Sequence, residues 1–279
     1  MNLLGKTGLN VMPIGFGGIV VMDSEPKQAS RAVADAIEFG INYFDVAPSY
    51  GNAEEKLGPA LEPFRKDIHL ACKTHRRDAK GARETLDQSL EHLKTDYFDV
   101  FQLHAITDVE EDVKAAFAKG GAMETILEAR KAGIIKHVGF SAHSEAAALA
   151  ALNEYDFDTV MLPVSFVLHY QKQFESKVLK EAKKRNCGII ALKTLSSNKR
   201  PEGQAPLKYK KCWYEPIDDP GLAELAMCWT LSQGVSLAVS PGEEVLLRMM
   251  MDLYPKLHKL TESEMETLKA YAAPQVPIF

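Results

Sequence analysis

Short apolar runs recur along the chain: Pro13–Gly17, Ile41–Asp45, Ile68–Cys72, Phe98–Leu103, Ile135–Phe140, Thr159–Leu162, Gly188–Leu192 and Ser236–Val239. Runs of this length, flanked by turn-forming residues, read as buried strands. Between them the apolar spacing lengthens to that of a helix. Ala29, Val33, Ala36 and Ile37 share one face, closed at Gly40, where a helix readily ends. Leu86, Leu90 and Leu93 share another, and Met123, Ile126 and Leu127 precede a stop at Gly133. Asp219 and Pro220, an N-cap and a first-turn proline, open a segment carrying Leu222, Leu225, Ala226 and Trp229, with Gly234 beyond its end.

Eight strands alternating with helices predict a (β/α)8 TIM barrel, with residues 1–279 as one domain. The competing open, doubly wound sheet would carry G-x-G-x-x-G after its first strand when it binds a dinucleotide. Here Gly15-Phe16-Gly17-Gly18-Ile19-Val20 lacks the third glycine. The opening Leu3–Val11 segment reads as a short N-terminal β-hairpin placed to plug the barrel. The long loop after strand 7, Leu195 to Asp219, holds Pro201, Gly203, Pro206, Lys208, Lys210, Lys211, Trp213, Tyr214 and Pro216. A structureless connection of this length over the C-terminal face is expected to serve as a lid.

Composition narrows the function classes. Hydrophobic residues make up 46% and charged residues 25%, enough for a large core and unlike a disordered chain. A net charge of −5 and the lack of a basic stripe argue against nucleic acid as a partner. Cys72, Cys187, Cys212 and Cys228 form no C-x-x-C pair and read as buried thiols of a reducing compartment. The N-terminal segment has no secretory pattern. The uncharged stretch Leu225–Gly242 is broken by serines, Gly234 and Pro241, so no membrane span is expected and the protein reads as cytoplasmic.

Barrel chemistry gathers where strands end. The polar residues at those junctions are Asp45, Lys73, His104, Ser141, Lys193 and Ser240, with Tyr50 five positions past Asp45. A tyrosine of ordinary pKa near 10 is a weak acid at neutral pH. A lysine ammonium beside it favours the phenolate, and a carboxylate fixes that lysine. A histidine at the same phenol can polarise a carbonyl oxygen. Together these groups deliver a proton to a carbonyl as negative charge develops there, whether a hydride, a carbanion or water supplies that charge. No H-E-x-x-H or H-x-H occurs, so a metal hydrolase has little support. His143 and His169 sit just past strand ends. Trp229 and Met249–Met251 read as core, and Glu262, Glu264 and Glu266 as a solvated face.

Several segments carry a family resemblance. Ile41–Gly51 with Glu54-Glu55-Lys56-Leu57-Gly58, then Leu70–Thr74, Phe101–His104 and Gly133–Ser141, resemble in order the motifs of the aldo-keto reductases. The resemblance covers nearly the whole chain. It implies a barrel that binds a nicotinamide cofactor in extended form, NADPH as the family expectation or NADH, and reduces an aldehyde or ketone. Transferred by position, Tyr50 is the general acid, Lys73 with Asp45 tunes it, and His104 polarises the carbonyl. Cofactor contacts are expected from Gly17, Gly18, Ser141, Lys193, Leu195, Ser240, Gly242 and Arg248, and substrate contacts from Trp213 and Tyr214.

The chain also departs from the pattern. Ala142, Met161 and Leu192 stand where relatives hold or stack on the nicotinamide, and Glu243 and Glu244 stand where NADPH enzymes place a base against the 2′-phosphate. Arg248 is the nearby compensation. Two alternatives therefore stay open: a non-redox, cofactor-sensing member of the same fold, and a Schiff-base lyase using Lys73 or Lys193.

Overall fold

Eight parallel strands pair in chain order and close on themselves. They are β1 (Ile14–Gly17), β2 (Tyr43–Asp45), β3 (His69–Thr74), β4 (Phe98–Ile106), β5 (Ile135–Ala142), β6 (Thr159–Pro163), β7 (Gly188–Leu192) and β8 (Leu237–Val239). The computed structural model describes residues 1–200, 203 and 208–279; Pro201 and Pro206 of the long connection lie outside them. Each strand falls at its expected apolar run. Four run further: β6 takes in Pro163, and β3, β4 and β5 continue past Cys72, Leu103 and Phe140 through Lys73, His104 and Ser141. Those polar residues belong to the strands themselves, so the sheet holds them.

Side chains alternate across a strand with a period of two. The inward set includes Tyr43 and Asp45 on β2, Ala71 and Lys73 on β3, and Val100 and His104 on β4. The outward set, including Phe44, Cys72, Phe101, Leu103 and Phe140, packs in the main core against the surrounding helices. Inward Tyr43, Ala71 and Val100 lie low on their strands, and Asp45, Lys73 and His104 follow them at the C-terminal end. The alternation thus puts every sheet-borne candidate on one face of one cavity.

Helices follow the strands around the outside, from Pro26–Phe39 to Glu244–Leu253, and Glu262–Ala272 comes last. Gly40 caps the first of them at φ +106°, its N–H reaching the carbonyls of Ala36 and Ile37. Asp219 accepts from the Leu222 N–H at 2.9 Å and Pro220 takes the first helical position. Leu127 departs from expectation at 38% exposed, because Met123, Ile126 and Ala129 take the inner face of its helix. Glu264 does more than face solvent: it closes a capping box with Thr261. All four cysteines are free and buried.

At the N-terminal end Asn2–Leu3 pairs antiparallel with Asn10–Val11. The turn between them inserts Leu4 at 0% exposure among Val11, Tyr43, Ala71, Val100 and Ile190 of the barrel interior. A side chain at Gly5 would strike the Gly188 amide nitrogen at 2.2 Å, so only glycine lets this turn lie on the strand.

The long connection is not structureless. Ser196–Lys199 pairs antiparallel with Tyr214–Pro216, with a bulge between Ser196 and Asn198. The Lys199 N–H also bonds the Val276 carbonyl at 2.7 Å, tying this ribbon to the C-terminal segment. Polar Ser196-Ser197-Asn198-Lys199 carries no apolar alternation, so its pairing leaves no trace in the sequence pattern.

Candidate active site

The C-terminal end of the barrel opens into a cavity of ≈ 360 Å³. Asp45 and Lys73 meet at its floor. The Lys73 ammonium, with no exposed surface, donates to Asp45 Oδ2 at 2.6 Å, to the Val46 carbonyl at 3.1 Å and to Tyr50 Oη at 3.4 Å. An ammonium has three protons, and each has an acceptor. Burial, the largest single effect, would lower the Lys73 pKa, but Asp45 and Tyr50 beside it together outweigh it and raise it. Burial lifts the Asp45 carboxyl, and the lysine charge draws it back.

Tyr50 sits on the turn after β2, its ring 5.0 Å from the Lys73 nitrogen and edge-on to His104 at 5.7 Å between centroids. Here the structure amends the simple expectation. Lys73 does pull the phenol pKa down, but burial is the larger effect and the net direction is up. Tyr50 is therefore held firmly in its protonated, acid form at neutral pH.

His104 ends the inward series of β4 and is 8% exposed. Burial first, then the charge of Lys73, holds its pKa well below the usual histidine value, so the ring is neutral. Next to it Ala105 takes a left-handed φ of +51° at a register shift in the β4–β5 ladder. Arg77 donates to the His104 carbonyl at 2.7 Å and to Asp112 at 2.9 Å, fixing the backbone there.

The remaining candidates divide. Gly17, Ser141, Lys193, Trp213, Tyr214, Ser240 and Gly242 line the same cavity. Ser141 Oγ accepts from the Ala105 N–H at 2.7 Å, leaving its own proton for a ligand. The Gly17 N–H donates to Ser240 Oγ at 3.1 Å, and a side chain at Gly17 would meet the Ser240 carbonyl at 2.6 Å. That glycine lets the ends of β1 and β8 close on each other. Lys193 holds its ammonium 4.5 Å from the Trp213 ring centre and 4.8 Å from that of Tyr214. Burial lowers its pKa to about 8. Trp213 is half exposed at the mouth, while Tyr214 is buried.

Three cofactor candidates are not brought to the cavity wall. Leu195 is fully buried in the core. Gly18 packs on the β2 turn, where an added side chain would meet the Asp45 carbonyl at 2.9 Å. Arg248 bonds Asp35 at 2.7 Å and Glu244 at 2.8 Å, outside the cavity. Glu243 is likewise engaged, accepting from the Lys211 N–H at 2.7 Å. His169 is bonded to Glu175 at 2.7 Å, away from the cavity, whereas His143 lines it.

A dinucleotide fits part of this donor set. The ammonium of Lys193 has no acidic partner among the described residues and suits a diphosphate, and the Ser141 hydroxyl can bond a carboxamide. Met161 and Leu192 line the cavity as apolar neighbours, and Ala142 is buried outside it.

The family model of the aldo/keto reductases matches residues 13–211. The chain belongs to the aldo/keto reductase family. It is an NAD(P)H-dependent oxidoreductase. It is 24% identical to the uncharacterized oxidoreductase YqkF of Bacillus subtilis, over 96% of this chain and 95% of that protein. It is 23% identical to NADPH-dependent codeinone reductase 1-2 of Papaver somniferum, over 94% and 87% of the two chains. Its barrel superposes on aldo-keto reductase AKR11C1 from Bacillus halodurans in its holo form with a TM-score of 0.75, at 22% identity over 99% and 97% of the chains.

Sequence reasoning missed several residues of this aldo/keto reductase's cavity. His75 stacks on His104 with ring centres 3.9 Å apart, and burial lowers its pKa. The signal was present: His75 follows Lys73 by two, as His143 follows Ser141, each prolonging the inward alternation of its strand. Ser49 and Lys211 also line the cavity, but no periodicity marks them. Phe279 packs on His143 at 4.7 Å and on Trp213 at 5.7 Å, a contact made by chain segments remote in sequence.

Proposed function

We propose that this chain reduces the carbonyl group of a small molecule, with Tyr50 as general acid, His104 as the polarising group and Lys73 with Asp45 as the pair that positions and tunes the phenol. The observation that carries the reading is the buried Asp45–Lys73–Tyr50 chain, with 2.6 Å and 3.4 Å between successive polar atoms. When bound, a nicotinamide cofactor would supply hydride to the carbonyl carbon. Tyr50 gives its proton to the carbonyl oxygen as charge develops there, and Lys73 stabilises the phenolate left behind. His104, neutral at working pH, donates one hydrogen bond to the same oxygen. Ser141 would orient the cofactor's carboxamide, and Lys193, Ser240 and Gly242 would receive its diphosphate. Trp213 and Tyr214 bound the substrate at the mouth.

The test is cofactor oxidation across a panel of aldehydes and ketones with wild type and Tyr50→Phe. Turnover should fall by about 10²–10⁴-fold in the variant, the usual contribution of one general acid. Because the phenol pKa is raised, wild-type kcat at saturating cofactor should stay level with pH until above the ordinary tyrosine value of about 10. A Tyr50→Phe protein as active as wild type removes the reading.

A second reading has one observation in its favour. At a pKa of about 8, Lys193 is a partly neutral amine in the cavity, as a Schiff-base lyase requires. Lys73 is unsuited to that role, because Asp45 keeps it charged. Borohydride trapping with a carbonyl compound, compared with Lys193→Met, separates the two.

A further inference from the structure

Beside the main cavity lies a second, more open cleft of ≈ 470 Å³. The two share Ile19, Ser49, Tyr50, Lys211 and Trp213. The cleft touches none of Ser141, Met161, Leu192, Ser240 or Gly242. A molecule that presents its carbonyl to Tyr50 can therefore extend into the cleft without meeting the residues assigned to the cofactor.

The chemistry of its walls is one-sided. Arg200, Lys210 and Lys211 line it, and among the described residues no acidic one does. Among the described residues none of the three makes a salt bridge. Arg200 donates to the Tyr209 carbonyl at 3.1 Å and Lys211 to the Val20 carbonyl at 2.8 Å, contacts that orient the side chains without neutralising them. Cys212, also in the wall, is neutral at working pH, burial having lifted its thiol to about 11. Ile19, Met22 and Trp213 supply an apolar stretch. A cationic end, a short apolar span and a proton donor define a ligand with an anionic end, a few carbons and a carbonyl.

Resting on the reductase reading, we infer that the substrate is an anionic carbonyl compound, its carboxylate or phosphate held by Arg200, Lys210 and Lys211 and its carbonyl presented to Tyr50. The anionic group takes no part in the bond changes. Hydride adds to the carbonyl carbon, the Tyr50 proton adds to its oxygen, and the alcohol leaves with the anion intact. Arg200 and Lys210 act as specificity determinants, while Lys193, which lines only the main cavity, serves the cofactor.

Two matched pairs test this: butanal against 4-oxobutanoate, and glyceraldehyde against glyceraldehyde 3-phosphate, with wild type and Arg200→Gln/Lys210→Gln. Wild type should prefer the anionic member of at least one pair by tenfold or more in kcat/KM, and that pair identifies carboxylate or phosphate. The double variant should lose about tenfold of that preference, mainly through KM. No preference in either pair overturns the inference and leaves the reductase reading standing. So does a double variant whose KM for the nicotinamide rises equally with either member of a pair, because the cations would then serve the cofactor. If wild type reduces no member of either pair, the wider carbonyl panel with Tyr50→Phe, not these four compounds, decides the reductase reading. Binding of succinate and of inorganic phosphate, read by Trp213 fluorescence in wild type and double variant, then decides the cleft. Saturable binding weakened about tenfold in the double variant supports it, and equal binding or none overturns it.

Discussion

Acid should destabilise this protein well before its carboxylates titrate, and His143 makes the size of the effect calculable. Burial, and then the charges of Lys193 and His75, hold its pKa at about 4 against an ordinary 6.5. The folded value lies below the unfolded one, so the unfolded chain takes up the proton first. The contribution is complete above pH 6.5 and is lost as pH falls from there toward 4. Linkage over that interval gives a loss of about 2 kcal/mol from this one side chain between pH 7 and pH 5. His104, depressed in the same direction, adds to the loss. His258 opposes it, because Glu264 raises its pKa. The assay is urea unfolding at both pH values for wild type and His143→Asn. Removing His143 should shrink the pH-dependent loss by about 2 kcal/mol or more, because its charge also depresses His104, while His258 cancels in the comparison. Equal pH dependence in the two proteins would refute the burial of a neutral ring at this position.

Other outcomes are equally definite. Asp45→Asn leaves the Lys73 charge buried without a counter-ion and should cost about 3–5 kcal/mol in thermal unfolding. Asp45→Leu/Lys73→Met should recover most of that loss, and simple additivity of the single changes would show that the pair does not act as a unit. With Arg248 held by Asp35 and Glu244, and Glu243 close by, initial rates should favour NADH over NADPH by about tenfold in kcat/KM. A preference for NADPH would mean that Arg248 leaves its carboxylates for the 2′-phosphate. Leu4→Ala should lower stability by about 2–5 kcal/mol through the cavity it opens, yet leave kcat unchanged because the plug is at the far end of the barrel. A matching drop in kcat would show the hairpin to be coupled to the site.

The barrel and its central residues were legible because both follow from one rule. Alternation along buried strands marks Asp45, Lys73, His104 and Ser141 as the last inward positions, and closure of the sheet brings them together. Residues carried by loops obey no such rule. Arg248 looked available one turn beyond Glu244, but Asp35 comes from a helix more than two hundred positions earlier in the chain. Leu195 follows β7 closely, yet the ribbon that begins at Ser196 turns its side chain into the core. Arg200, Lys210 and Lys211 face one cleft only because Ser196–Lys199 pairs with Tyr214–Pro216. The direction of the Tyr50 shift was out of reach for a different reason. Neighbouring charges can be read from a motif, but the depth of burial that outweighs them cannot.

The hairpin under the barrel has a consequence for traffic. With Leu4 stoppering the base, the main cavity opens through a neck at the C-terminal end, where the cleft joins it. Cofactor, carbonyl compound and product all pass that neck, and each can obstruct the others. On the proposed mechanism a proton given up by Tyr50 has to be replaced from that end, where His75 and His143, both of lowered pKa, line the cavity. Whatever occupies the neck therefore sets the rate of recharging as well as the rate of exchange. A change at Trp213 or Phe279, remote from the reacting atoms, can slow the whole cycle without altering the chemical step.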